Sequence, residues 1–143
     1  MATTTTANRE LVREFIDEAN EKRYERVAEL FADDYVRHDP DASVGERGPE
    51  PFVEALKRLH EAFPDSEAHI GEMVAEDDLV AFEGTTTGTH EGTFRGVEPT
   101  HAAFEVPGNA MHRIDDGLIA ETWATWNFLD AFQQLGVIGK PIG

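Results

Sequence analysis

Three histidines of this chain lie where an imidazole could do acid–base chemistry. His38 stands beside Asp39 in the stretch YVRHDP, His90 lies among glycines and threonines in GTHEGTF, and His112 lies in a β-rich stretch. An imidazole titrates near working pH, so each ring could exchange a proton with a substrate or hydrogen-bond to it. The structural alternative for His112 is a core histidine bonded to a neighbour. For His90 it is a strand bend that the glycines permit, although a ring at such a bend could still reach the mouth of a pocket.

His38 and Asp39 cannot both face the interior of an extended chain. Neighbouring residues on a strand point to opposite sides. We predict that His38 faces inward, with a structural role as the alternative. Asp39 would then brace the turn at Pro40, because aspartate commonly hydrogen-bonds the backbone of its own turn.

Common catalytic and metal-binding motifs are absent from the sequence. The six histidines show no H-E-x-x-H spacing, and there is no glycine-rich phosphate loop and no G-x-S-x-G motif. The chain has no cysteine, which excludes disulfides and thiol catalysis. We therefore expect no metal site.

The composition is strongly acidic. The chain has 29 acidic and 12 basic residues, a formal net charge of −17. Such a surface repels nucleic-acid phosphates and anionic lipids, so we expect neither as a partner. A lysine-poor, acidic surface resembles that of proteins from salt-loving organisms, and we expect stability to rise with salt as self-repulsion is screened.

The sequence shows no membrane-spanning or secretory segment. No apolar run approaches the roughly 20 residues of a membrane helix, and MATTTTANRE is unlike a secretory signal, so we expect a cytoplasmic protein.

Hydrophobic periodicity predicts helices first and strands afterwards. Apolar residues recur at helical spacings over 7–20, again from Val27 to Phe31, and in a third stretch that ends at Pro64. From residue 67 the period becomes strand-like and predicts a curled antiparallel sheet of about four strands, followed by a short helical turn. The expected fold is α+β, one domain over residues 1–143, with the helices packed on one face of the sheet.

Several stretches together resemble the SnoaL-like polyketide cyclases, a branch of the nuclear transport factor 2-like superfamily. They are YVRHDP, GTHEGTFRGVEPT, HRIDDGLIAETW and FQQLG, and the resemblance covers nearly the whole chain. It implies a cone in which a curved antiparallel sheet and N-terminal helices enclose a deep apolar pocket. It also implies that no metal or organic cofactor is required and that chains pair through their sheets.

The resemblance further implies where a catalytic pair would lie. The characterised cyclases close a ring by an intramolecular aldol step, with an aspartate on the last long strand and a histidine on the strand before it. Alignment on HRIDDG and QQLG puts the aspartate position at Ala124 and the histidine position at Ala110. A methyl group cannot move a proton, so this chemistry does not carry over in its known form.

Strand alternation extends the prediction to neighbouring residues. If Ala110 and Ala124 face the pocket, His112, Thr122 and Trp126 do so too. Trp126 could then stack on a flat ligand, with burial in the core as the alternative.

The same alternation turns Glu121, Trp123 and Asn127 away from the pocket. Trp123 on the outer face suits a sheet-to-sheet contact, because large aromatic side chains contribute much of the energy of an interface. We therefore predict a homodimer or larger homo-oligomer, with burial of Trp123 in the core as the alternative.

Two functions from different classes remain open. The first is a cofactor-free cyclase or isomerase-type enzyme that acts by proton transfer on an apolar, carbonyl-bearing or polycyclic molecule. The predicted catalytic residues are His112, His38 and Asp39, and the predicted substrate-binding residues are Trp126, Thr122, His90, Ala110 and Ala124. The second is a non-catalytic small-molecule binding module in which the two alanines merely enlarge the pocket.

Overall fold

The computed structural model describes residues 4–39 and 47–138. The elements run in chain order as α1 (Thr4–Asn20), α2 (Tyr24–Glu29), β1 (Phe31–His38), α3 (Glu50–Ala62), β2 (Glu67–Glu76), β3 (Leu79–Thr89), β4 (Ala103–Asp115), β5 (Leu118–Trp126) and α4 (Phe128–Leu135). Within these ranges, no helix is long and apolar enough to cross a membrane.

The strands form one open sheet in the order β1-β5-β4-β3-β2. Neighbours from β5 to β2 pair antiparallel, whereas β1 pairs parallel with β5. Register shifts between Ile70 and Met73 and between Arg113 and Ile114 mark irregularities of the kind that bend strands and let a sheet curl. The predicted α+β fold, with N-terminal helices and a curved sheet, is confirmed.

The second predicted helix was too long. It ends at Glu29, and Phe31–His38 forms a strand, so two helices and not three precede the first strand, and the sheet has five strands and not about four. The physical reason is that β1 is held by a parallel partner far along the chain: Phe31 lies opposite Ile119 and His38 opposite Trp123. Local periodicity carries no signal for such a pairing.

The apolar interior consists of two clusters. The larger joins the inner faces of α1, α2 and the sheet, with Val12, Val27, Tyr35, Val80 and Ile119 almost fully buried. The smaller lies beside α4 and contains, among others, Phe63, Phe104, Val106, Ala131 and Leu135. Gly136 ends α4 in the left-handed conformation expected of a helix cap.

Candidate functional site

A cavity of about 620 Å³ lies between the sheet and the helices α1 and α3. Much of its wall is apolar, with side chains that include Phe15, Phe52, Leu56, Phe82, Phe104 and Val106. A volume of this size falls within the roughly 300–1,000 Å³ typical of small-molecule sites.

Strands β4 and β5 supply one wall. Ala110, His112, Thr122, Ala124 and Trp126 all line the cavity. Ala110 lies opposite Ala124 in the strand register, and His112 lies opposite Thr122. The structure therefore brings these five predicted residues together.

Trp126 reaches its place through a close contact with a glycine. A Cβ atom on Gly108 would lie 2.2 Å from the indole of Trp126, so only glycine allows this packing.

Glu121 and Trp123 lie on the other side of the sheet, where Trp123 lines a shallower groove with Met111.

His112 is one of the most deeply buried polar groups of the cavity wall. Its side chain is 1% exposed and packs between the rings of Phe15 and Phe82. Nδ1 lies 2.8 Å from the Thr122 hydroxyl, and Nε2 has no hydrogen-bond partner among the described residues. Burial, with a smaller contribution from the charge of Arg37, lowers the pKa of His112 to about 3. The ring is therefore neutral at neutral pH, and the expectation that it titrates near working pH is wrong.

Polar side chains of β1 line the cavity near His112. The Tyr35 hydroxyl accepts a hydrogen bond from Arg37 at 3.3 Å. Arg37 also forms an ion pair with Asp39 at 3.4 Å, and its guanidinium lies 4.4 Å from the centre of the Phe52 ring. Burial raises the pKa of Tyr35, which keeps the phenol protonated at neutral pH.

Asp39 and not His38 faces the cavity. The His38 side chain is 44% exposed, bonds to Glu121 at 2.7 Å and stacks on Trp123 on the outer face. Asp39, only 10% exposed in its side chain, lines the cavity. The prediction that one neighbour points inward holds, but the choice of His38 was wrong. In the parallel register His38 lies opposite Trp123 and shares its outward direction. The turn at Pro40 lies outside the described residues.

His90 does not line the cavity. It follows the end of β3, is 1% exposed and packs against Phe63 in the smaller cluster. Its Nδ1 accepts a hydrogen bond from the Thr100 backbone N–H at 3.2 Å. Its predicted place at the pocket mouth was wrong, because the loop after β3 folds over the ring through the paired backbone bonds of His90 with His101 and Ala102.

Comparison with known proteins identifies the family. A family model described as SnoaL-like polyketide cyclase matches residues 10–135. The chain belongs to this family. No curated protein matches it in sequence.

Solved structures resemble this SnoaL-like protein along most of its length. AclR from Streptomyces galilaeus is 25% identical with a TM-score of 0.85, covering 97% of this chain and 87% of its own. IdmH from Streptomyces antibioticus is 31% identical with a TM-score of 0.81, covering 91% and 99%. A family member from Jannaschia is 22% identical with a TM-score of 0.85, covering 99% and 98%, and this likeness supports the fold.

The sequence prediction missed several polar residues of this SnoaL-like cavity. Tyr35 and Arg37 line it together with Asp39, at the two-residue spacing of one strand face. That spacing would have indicated all three if the segment had been predicted as a strand.

His60 on α3 also lines the cavity and is hydrogen-bonded to the Tyr24 hydroxyl at 2.7 Å. Burial, followed by the charge of Lys22, lowers the pKa of His60.

The cavity wall provides no evident metal centre. Over residues 4–39 and 47–138, the structure contains no group of three or more His, Asp or Glu side chains that could hold a metal ion.

Proposed function

We propose that this SnoaL-like protein binds an apolar, carbonyl-bearing small molecule and catalyses cofactor-free proton transfer on it, of the kind used in ring closure or isomerisation. The observation that carries this proposal is His112, which lines the cavity and whose buried Nε2 has no hydrogen-bond partner in the described part of the chain. Leaving a buried polar group unpaired costs about 1–3 kcal/mol, so a ligand that pairs with it gains affinity.

Asp39 is the proposed proton carrier. Its carboxylate lines the cavity and is held by Arg37. It would take a proton from the carbon next to the ligand carbonyl, leaving an enolate whose oxygen is hydrogen-bonded by His112. In ring closure, the enolate carbon would attack a second carbonyl carbon, and the alkoxide that forms would take the proton from Asp39. In isomerisation, Asp39 would return its proton to a different carbon of the enolate system.

One structural neighbour supports ring-closing chemistry without identifying a substrate. IdmH is provisionally named a polyketide cyclase and AclR a hydroxylase. The name of IdmH is consistent with the proposed reaction, whereas hydroxylation is an oxidation and not a proton transfer.

A non-catalytic binding module is the second candidate. Ala110 and Ala124 occupy the positions that the family resemblance assigns to its histidine and aspartate, and both line the cavity. Their methyl groups leave room for a ligand and transfer no proton.

Deuterium exchange of a model ketone separates the two candidates. β-Tetralone is a small apolar ketone with acidic protons beside its carbonyl. We expect the protein to accelerate exchange of these protons with D₂O, followed by NMR, and Asp39→Asn to lower the rate by about 100-fold or more while β-tetralone still binds. Asp115→Asn, at an exposed strand end, is the matched control and retains the rate. Binding without any accelerated exchange would overturn the enzyme and favour the binding module.

A further inference from the structure

We propose that Arg58 and Arg95 bind a carboxylate of the ligand at the open end of the cavity, so that this SnoaL-like protein selects an organic acid with an apolar body. The inference rests on the proposed function in that it names a class of molecule for the same site. It does not require that a reaction follows, because the two arginines would hold the acid whether or not a proton is transferred.

The cavity has a closed end and an open end. Tyr35, His112 and Thr122 line it and are each 1% exposed or less. Arg58 on α3 and Arg95 in the loop after β3 also line it, but both side chains are exposed to solvent. A residue that is exposed and also part of the lining marks where a cavity opens. A ligand that binds here therefore has one part in the buried wall and another beside the arginines.

The two arginines lie at the same end of the cavity. Leu59, next to Arg58, and Phe94, next to Arg95, both pack against the smaller apolar cluster. The loop that carries Arg95 is also tied to the end of α3, because two of its backbone N–H groups donate to the Ala62 carbonyl at 2.9 and 3.0 Å. The fold thus brings two cations from distant parts of the chain to one opening.

The charge at this opening is opposite to that of the whole protein. The chain has a formal net charge of −17. Among the described residues, the charged side chains of the exposed lining are Arg58, Arg95 and Glu61, two cations and one anion. Farther in, Arg37 and Asp39 form an ion pair and offset each other. An acidic protein repels an anionic ligand, and cations at the opening counteract that repulsion locally.

Arg58 has the means to bind an anion. It forms no ion pair with any described residue, although Glu54 and Glu61 lie one helical turn away on either side, and Glu54 is paired with Lys57 at 3.3 Å. The forked N–H donors of a guanidinium fit the two oxygens of a carboxylate. A carboxylate also brings one negative charge to an opening with a surplus of one positive charge, whereas a phosphate ester brings about two.

Arg95 is positioned by two aromatic rings. Its guanidinium carbon lies 5.1 Å from the centre of the Phe94 ring and 5.4 Å from that of Phe128. Arg95 and Gly96 form a tight turn, closed by backbone bonds between Phe94 and Val97, and their φ angles are 50° and 80°. Such a turn favours Asn, Asp or Gly at its first central position, so backbone conformation does not account for arginine there. The guanidinium does, because a group that stacks on rings donates from its edge.

A matched pair of ligands tests the charge. 2-Naphthoate and 2-naphthamide share an apolar body and a carbonyl group and differ by one negative charge. At neutral pH and fixed ionic strength, titration calorimetry should show that the wild-type protein prefers naphthoate by about tenfold, as expected for two exposed ion pairs. Equal affinities, a preference for the amide, or no measurable binding of naphthoate would overturn the proposal.

Charge-removing variants locate the site. Arg58→Gln and Arg95→Gln should each lower the preference for naphthoate by about three- to fivefold, and Arg58→Glu should reverse it. Arg13→Gln removes the same charge from an exposed position on α1 outside the cavity lining, and is the matched control that keeps the preference. An equal loss in Arg13→Gln and Arg58→Gln would show that only net charge acts, and would refute the site. If Arg95→Gln does not fold, the exposed Arg58 still carries the test.

The proposed function and the anion site can fail independently. β-Tetralone carries no carboxylate, so its deuterium exchange tests catalysis alone. A preference for naphthoate without exchange of β-tetralone would uphold the anion site and reject only the catalysis. Exchange of β-tetralone with equal affinities for naphthoate and naphthamide would uphold the enzyme and overturn the anion site.

Discussion

His112 and His90 are two buried histidines with nearly the same local bonding and different surroundings. Each is 1% exposed, each has Nδ1 bonded to a threonine ten residues further along the chain, and each has an Nε2 atom without a partner in the described residues. They differ beyond the ring, because His112 borders the cavity of about 620 Å³ whereas His90 packs into the smaller apolar cluster.

The difference shows that an unpaired buried nitrogen marks a binding site only where there is space beside it. At His112 the ring borders the cavity, so there is space for a ligand beside it. At His90 the neighbouring ring is Phe63, at 5.3 Å between ring centres, so the same unpaired group belongs to a packed interior. The partners of Nδ1 also differ, since Nδ1 of His90 accepts from a backbone N–H, whereas Nδ1 of His112 is bonded only to a side-chain hydroxyl.

The largest expected effect is on stability: replacing each histidine by alanine should destabilise the protein by different amounts, because the two rings are packed differently. His90→Ala leaves a hole in a closed aromatic cluster and should lower the free energy of unfolding by about 3 kcal/mol. His112→Ala adds space to a cavity that water can already enter, so its loss should be about half as large. Urea unfolding measures both, and equal losses would contradict the distinction. At a temperature where both variants are folded, β-tetralone affinity should fall only in His112→Ala.

The second effect is a pH dependence of stability that His112 contributes. Its pKa is about 3 in the folded protein and ordinarily 6.5, so between these values the unfolded chain binds a proton that the folded chain does not. The contribution of the neutral ring to the free energy of unfolding is therefore fully present above about pH 6.5. It falls as the pH decreases toward 3, at about 1.4 kcal/mol per pH unit.

Comparison with His112→Phe isolates this contribution, because His60 and the carboxylates titrate in both proteins. Between about pH 7.5 and pH 4.5, wild-type stability should fall by roughly 2.7 kcal/mol more than that of the variant. Urea unfolding at the two pH values is the measurement, and parallel profiles for the two proteins are the contrary outcome.

The smallest effect compares the two threonines. Thr100→Val leaves the backbone N–H that donates to His90, so the His90 tautomer should be unchanged and stability should fall by about 0.5–1 kcal/mol. Thr122→Val removes the one hydrogen-bond partner of the His112 ring among the described residues, at a cost nearer 1.5 kcal/mol. Urea unfolding with ring-nitrogen NMR checks both. A larger loss for Thr100→Val would reverse the comparison.

Much of one cavity wall could be predicted from the sequence. Side chains alternate between the two faces of a strand, and the family resemblance assigns Ala110 and Ala124 to the pocket, so the sequence predicts that His112, Thr122 and Trp126 share their face. The prediction failed on β1, where the acidic stretch FADDYVRH does not alternate cleanly and its burial pattern is irregular.

The sequence by itself determined the acidic composition, the family resemblance, the α+β class and the facing of the last two strands. The acidity follows from residue counts, and the α+β class follows from local hydrophobic periods. The family resemblance follows from short motifs, and it anchors the strand alternation that gives the facing of the last two strands. The tertiary structure decided that Asp39 faces the cavity and His38 does not, because a parallel partner about 85 residues away sets the face of β1. It also decided that His112 is neutral, because the pKa of a buried ring depends on the aromatic side chains that exclude water from it, and these come from distant elements.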